Sequence, residues 1–266
     1  MGAVIALISV LVVLLSGLSS GLVNDGVSGL KALPATGFAF DEGTMTDNAF
    51  SRSVVDGDQI AAWQYADGIA EAEPMGVNIV NGALPDGTQL DLTLFGIVPG
   101  GFLTPEVSEG KTVGQVDGIV VSEPLKEAGV EIGTVITLDR SDVEFTVVGF
   151  TQGQSTFGHV DVAFLPVGLL AAGQTEPGAP TQEQVDALDF EYASVVALLA
   201  DDGADPGYEA LDAAAGTMHM TLTEAFNASP GYEAETLTIG LGLIGAAIAV
   251  IRIVRIDPLR ALGGQR

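Results

Sequence analysis

Gly118–Phe150 reads GIVVSEPLKEAGVEIGTVITLDRSDVEFTVVGF, and its punctuation sets the fold class. Ile119–Val121 is an apolar, β-branched run that suits a buried strand. Ser122 stands where a helix cap is wanted, Pro124 falls in the first turn that follows, and Gly129 supplies a stop. Two further strands are expected, Val135–Leu138 and Val143–Phe150, joined by a turn at Asp139–Asp142. Strand, short helix, strand and strand within so few residues point away from a helical bundle and toward a mixed-sheet domain.

Working outward, the same grammar continues. Val77–Val80 and Gln89–Phe95 alternate apolar and polar, with Leu90, Leu92 and Leu94 on one face. Pro85-Asp86-Gly87 between them is a hairpin signal, because proline presets the first turn dihedral and glycine accepts a positive φ. Gly37–Phe40, Phe50–Val55, Val160–Leu165 and the strongly apolar Ala193–Leu199 read as strands, with a last one near Met218–Leu222. Asp58 is expected to cap a short helix through Trp63 and Tyr65. A loop over Gly173–Pro180, a capping box at Thr181 and Gln184 ahead of a helix through Leu188, and a helix over Glu209–Ala215 complete the reading. The fold class is α+β, mixed sheets with short helices, and no internal repeat is present.

Two apolar segments bracket this domain. Ala3–Val23 carries no charge, and about 21 residues at about 1.5 Å each match a bilayer core of about 30 Å. It lacks the basic leader and A-x-A site of a signal peptide, which is the alternative reading. The pattern Val27, Leu30, Leu33 carries that helix onward until Pro34 stops it. Thr236–Ile251 is apolar and runs at once into Arg252, Arg255 and Arg260, placed to anchor at the membrane interface. A buried core helix is the alternative there. Gly242 and Ala246, one turn apart, offer a small face for helix packing. The expected layout is a transmembrane helix over 1–24, an extracytoplasmic domain over 25–234, a second helix over 235–254 and a cytoplasmic basic tail over 255–266.

Charge supports that orientation. Of 35 acidic residues all but Asp257 lie between Asp25 and Glu235, against five bases in the same stretch. Arginine beside a membrane segment stays in the cytoplasm, so both termini are expected inside and the acidic domain outside. An acidic surface repels phosphate backbones, which argues against nucleic-acid binding. Without cysteine there is neither a disulfide framework nor thiol chemistry.

Catalytic signals are weak. Gly110-Lys111-Thr112 has Pro105 where a phosphate-binding loop needs its first glycine. His159, Asp161 and His219 are a thin basis for zinc, and no G-x-S-x-G elbow occurs. Asp56/Asp58 and Asp201/Asp202 read as solvated turns, with weak calcium binding as the alternative. Asn227-Ala228-Ser229 is a glycosylation-type tripeptide followed by Pro230. No enzyme activity and no cofactor are expected.

Three stretches carry a resemblance to one family. GIVVSEPLKEAGVEIGTVITL (118–138) followed by FTVVGF (145–150) resembles the strand–helix–strand core of the extracytoplasmic part of MacB-like/FtsX-like ABC transporter permeases. PGYEAET (230–236) resembles that family's return to the membrane, and RIDPLRAL (255–262) its cytoplasmic ending. GIVPGGFLTP (96–105) and STFGHVDVAFLP (155–166) fit the pattern less specifically. The resemblance implies a permease-type subunit of an ABC export system that works with a separate ATPase subunit in a lipid membrane. A second copy of the chain or a full-length permease are further partners it admits. The family pattern has four helices, whereas here PGYEAET runs almost directly into a segment resembling the fourth. The second and third helices are missing from this pattern, so the alternative is a membrane-anchored binding or accessory module without ATP coupling.

Overall fold

The computed structural model describes residues 28–114, 118–139, 142–172 and 192–227, together with Leu14. All of these but Leu14 fall within one compact unit, Asp25–Pro230. Leu14 aside, both terminal apolar segments lie outside the described residues, as do the loop at 173–180 and the helix expected after Thr181. Among the described residues no helix is long and apolar enough to cross a membrane.

The elements in chain order are α1 (Ser28–Lys31), β1 (Gly37–Asp41), α2 (Ala49–Arg52), β2 (Val55–Asp56), α3 (Gly57–Gln64), β3 (Ile69–Ala83) and β4 (Gln89–Ile97). They continue with β5 (Val107–Gly110), β6 (Gly118–Val121), a 3-10 turn (Glu123–Lys126), β7 (Val135–Leu138), β8 (Glu144–Thr151), β9 (Thr156–Phe157) and β10 (Val160–Pro166). The last are α4 (Val167–Ala172), β11 (Tyr192–Ala193), β12 (Val195–Ala200), α5 (Tyr208–Ala215), β13 (Thr217–Thr221) and α6 (Leu222–Asn227). The domain is therefore α+β, with one large mixed sheet and short helices. Eleven strands share that sheet in the order β13-β1-β12-β3-β4-β10-β6-β8-β5, while β11 and β2 pair separately.

Half of this sheet closes on itself. Strand β7 pairs with β8 on one side and with β3 on the other, so β3-β4-β10-β6-β8-β7 form a ring of six strands. Alternation fills it: Leu92, Leu94, Ile119, Val121, Phe145 and Val147 point into one buried cluster. Leu125 of the 3-10 turn and Leu169 of α4, which follow β6 and β10, belong to the same cluster and plug the ring. Val77, Phe95, Val120, Val162 and Phe164 of the same strands belong to a second buried cluster, outside the ring. Leu170 packs over Gly76 and Gly96, which face each other across β3 and β4. A Cβ at Gly76 or Gly96 would come within 2.5 or 2.9 Å of its Cδ2, so a side chain at either would displace Leu170 from its seat.

The other half is a four-stranded wing, β13-β1-β12-β3, sharing the long strand β3 with the barrel. Residues 69–75 of β3 pair with β12, and 76–83 pair with β4. The wing's two faces are both covered. Phe38, Phe40, Val195, Ala197 and Met220 face the barrel wall. Ala39, Val196 and Leu198 face Ile60 and Trp63 of α3, with Tyr208 and Leu211 of α5 at the margin. Burying each such large side chain favours folding by about 1.5–3 kcal/mol, so continuous apolar runs are what a strand covered on both faces requires.

Several local expectations are corrected. Phe50–Val55 is not one strand: Ala49–Arg52 is a helical turn that drops Phe50 into the core, and only Val55–Asp56 is extended. The cap of α3 is Asp56, not Asp58. Its Oδ1 accepts the Gln59 N–H at 2.9 Å while the Gln59 side chain accepts the Asp56 N–H, a complete capping box that outcompetes a lone aspartate. Ser122 does not cap a helix. Its Oγ donates to Asp161 at 2.8 Å, and only a 3-10 turn follows. Ala193–Leu199 is interrupted at Ser194, whose Oγ accepts the Val77 N–H at 2.9 Å.

Candidate functional site

The chain enters and leaves the described domain side by side. α1 packs against α6, and Leu30, Leu33 and Ala225 are buried in the same core, the one between wing and barrel. α1 is held to the β9–β10 hairpin. The Thr156 N–H donates to Ser28 Oγ at 3.0 Å, and Ser28 Oγ lies 3.5 Å from the Thr156 carbonyl. Gly29 makes the approach feasible, since a Cβ there would stand 2.8 Å from Val162 Cγ1 and 2.9 Å from the Thr156 oxygen.

α6 is held instead to the wing. The Leu222 N–H donates to the Thr36 carbonyl at 3.2 Å, and Thr36 itself bonds Leu198 of β12. Thr221 and Glu224 form a capping box at the start of α6. Glu224 Oε2 accepts the Thr221 N–H at 2.9 Å, and Thr221 Oγ1 accepts the Glu224 N–H at 3.3 Å. Hydrogen bonds from the Thr221 backbone N–H and then from its hydroxyl lead the causes that hold the Glu224 carboxyl below the usual range. One strand position earlier in the alternation, the His219 N–H donates to Asp212 Oδ2 at 2.9 Å. Carboxylates from α5 and α6 thus occupy donors along β13, the outermost strand of the wing, which blunts it against strand addition.

Two titratable groups are perturbed nearby. His219 stacks on Tyr208 at 3.8 Å between ring centroids, beside Trp63, whose Nε1 donates to Thr217. Burial pushes the His219 imidazole below its ordinary value, against the opposing pull of Asp212 and Glu224. Glu73, on the wing half of β3, accepts the Phe102 N–H at 3.2 Å and packs against Gly101, where a Cβ would displace its carboxylate. Its second oxygen is buried without a hydrogen bond, and desolvation raises its carboxyl. The GIVPGGFLTP loop is therefore pinned across the strand that wing and barrel share.

The residues singled out for chemistry are not assembled. Arg252, Arg255 and Arg260 lie outside the described residues. Gly110 ends β5 and Lys111 donates its N–H to Val148 of β8, so this glycine-lysine-threonine run lies along a strand pair. A phosphate loop would instead lead into a helix. His159 sits at φ 64 in the β9–β10 turn, on the barrel, whereas His219 is on the far edge of the wing. No group of three or more metal-type side chains occurs among the described residues. Asp56 is engaged as the α3 cap, and Asp201 donates its N–H to Gly68. Sequence reasoning missed Ser28 with Gly29, because a clasp between segments 128 residues apart has no local signature. It also missed Thr221 and Glu224, although T-x-x-E was legible as a capping box.

No protein-family model matches the chain, and no curated protein sequence matches it. Solved structures are similar in fold. The extracellular domain of the noncanonic ABC-type transporter YknZ from Gram-positive bacteria is 13% identical, with a TM-score of 0.46, over 69% of this chain and 97% of that one. The periplasmic region of MacB from Actinobacillus actinomycetemcomitans is 12% identical, with a TM-score of 0.48, over 74% of this chain and 94% of that one.

Proposed function

We propose that this chain is a permease-type membrane subunit of an ABC export system, carrying an extracytoplasmic domain over 25–234 and working with a separate ATPase. In this reading 1–24 and 235–254 are membrane helices, 255–266 is cytoplasmic, and Arg252, Arg255 and Arg260 anchor the second helix at the interface. The chain contributes binding and movement, and ATP chemistry belongs to the partner. The observation that carries the reading is the pairing of α1 with α6. A domain hung from two adjacent membrane helices must take in and release its chain at one place; the first apolar segment ends at Val23, shortly before α1 starts at Ser28, and the second begins at Thr236, after α6 ends at Asn227. The three stretches resembling MacB-like/FtsX-like permeases support it from the sequence side.

Copurification tests the system: an ATPase retained by the full chain in mild detergent is expected. Reporter fusions after residues 120 and 266 test the topology. The first is expected to report outside and the second inside, and a cytoplasmic signal at 120 would refute the hairpin.

One observation favours the second reading, an anchored accessory module without ATP coupling. PGYEAET (230–236) runs almost directly into a stretch, 240–262, that resembles the family's fourth helix rather than its second. Turnover of the copurifying ATPase, measured with and without the chain, separates the two readings.

A further inference from the structure

Among the methionines of the described residues one stands apart. Met75 is fully buried, Met220 is buried, and Met218 packs partly buried against the same core. Met45, in contrast, is 62% exposed. It lies in the loop between β1 and α2, whose base Asp41 closes. The Asp41 N–H donates to Ser53 Oγ at 3.0 Å, while its carbonyl accepts the Thr44 N–H at 3.0 Å and its Oδ2 the Gly43 N–H at 3.1 Å. Arg52 of α2 reaches over to the same loop. Its Nη1 donates to Met45 Sδ at 3.3 Å and lies 3.6 Å from Asp47 Oδ2. α2 is a firm support, because Phe50, two residues before Arg52, is buried and meets Phe157 edge-on across the seam between wing and barrel. An exposed thioether is thus held against a guanidinium on a helical turn seated in the core.

We propose that Met45 is a site of reversible oxidation, where a hydroperoxide converts the thioether to a sulfoxide that Arg52 then grips. A sulfur lone pair attacks one peroxide oxygen, the O–O bond breaks, and that oxygen stays on sulfur. The other oxygen leaves with the bonding electrons and takes a proton from solvent. Sulfur loses two electrons and the peroxide gains them. A thioether is a weak acceptor, whereas the sulfoxide oxygen is polar, and its hydrogen bond to a guanidinium is charge-assisted. Oxidation therefore strengthens the contact that ties the loop to α2. In a packed core the same change would disrupt the fold, and there Met75 and Met220 are shielded from it. The site lies wholly within the described domain and does not depend on the membrane reading.

Hydrogen peroxide added to the full chain in mild detergent, followed by peptide mass mapping, tests the modification. Sulfoxide at Met45 is expected to form at least about tenfold faster than at Met75 or Met220. Equal rates at the three would overturn the site. Trypsin tests the grip, since it must take the Arg52 guanidinium to cut between Arg52 and Ser53. Measured against the cut after Lys111, which is exposed, that cut is expected to slow about twofold to fivefold on oxidation. Adding both methionine sulfoxide reductases, one for each sulfoxide epimer, is expected to restore it. Met45→Leu should show no change with peroxide, and Met45→Gln, which carries an amide oxygen, should slow the cut without it. An Arg52 cut as fast or faster in the oxidised parent, or the same slowing in Met45→Leu, overturns the grip.

Discussion

Replacing Phe157 should uncouple the two halves of the domain. The ring is fully buried and joins the Phe38–Phe40–Phe50 group to the Phe95–Phe164 group. Phe157→Ala removes a buried aromatic side chain, which costs about 3–5 kcal/mol. Against a total stability of about 5–15 kcal/mol that is a large share. In a domain of this length it corresponds to a fall in Tm of roughly 6–20 °C. Phe157→Leu keeps most of the volume but loses two edge-to-face pairs, each worth about 0.5–1.5 kcal/mol, so about 1–3 kcal/mol is expected. Urea unfolding of Asp25–Pro230 can be followed through the single tryptophan, Trp63, which is buried on the opposite face of the wing and reports global unfolding. The sharper test is a cycle. Phe50→Leu and Phe95→Leu should be non-additive by at least about 0.5 kcal/mol when Phe157 is present and additive when it is leucine. A cost below about 1.5 kcal/mol for Phe157→Ala, or additivity in both backgrounds, would refute a ring that bridges the halves.

His219 is held below its ordinary value of about 6.5 by burial, so the folded state prefers the neutral ring; stability is present above that value and is lost as pH falls below it. Tm should decline as pH drops from about 6.5 toward 5, and His219→Phe, which keeps the stack on Tyr208, should flatten that decline. Glu73 is shifted upward by desolvation, so its folded form binds a proton more tightly, and its contribution grows more favourable as pH falls toward about 4.5. Glu73→Gln, which keeps an acceptor for the Phe102 N–H, should raise Tm at neutral pH and lose that advantage at acid pH; a neutral-pH loss would contradict a desolvation cost. Screening should matter across the whole surface: raising NaCl from about 0.05 to about 1 M shortens the screening length to about 3 Å and should raise the Tm of Asp25–Pro230, whereas a flat response would mean its carboxylates are too dispersed to repel.

What the sequence made legible is what local physics dictates. The hairpin at Pro85-Asp86-Gly87 is present because turn chemistry and alternation agree, and Leu90, Leu92 and Leu94 do share a buried face. The strands at 118–121, 135–138 and 144–151 stand where their apolar runs put them. The errors fall where a distant partner outcompetes a local one. Ser122 looked like a cap, but Asp161, 39 residues on, takes its hydroxyl. Phe50 looked like a strand residue because it is large and apolar, yet its role is to reach Phe157 across the seam, and a helical turn aims it there.

Barrel closure belongs to the same class of hidden fact. Gly82 pairs with Leu138 and Ala83 with Thr137, joining β7 to β3 and turning an open sheet into a ring. Gly82 is what permits it, because a Cβ there would meet Ile136 Cγ2 at 3.0 Å and the Thr137 carbonyl at 3.2 Å. In the sequence that glycine is one of 35 and sits one residue before the end of a strand, where it reads as the beginning of the turn. Its meaning comes from β7, more than 50 residues later. The contact of Ser28 and Gly29 with the β9–β10 hairpin is the same case at longer range: two small residues near an apolar segment, without a signature until 156–162 folds against them.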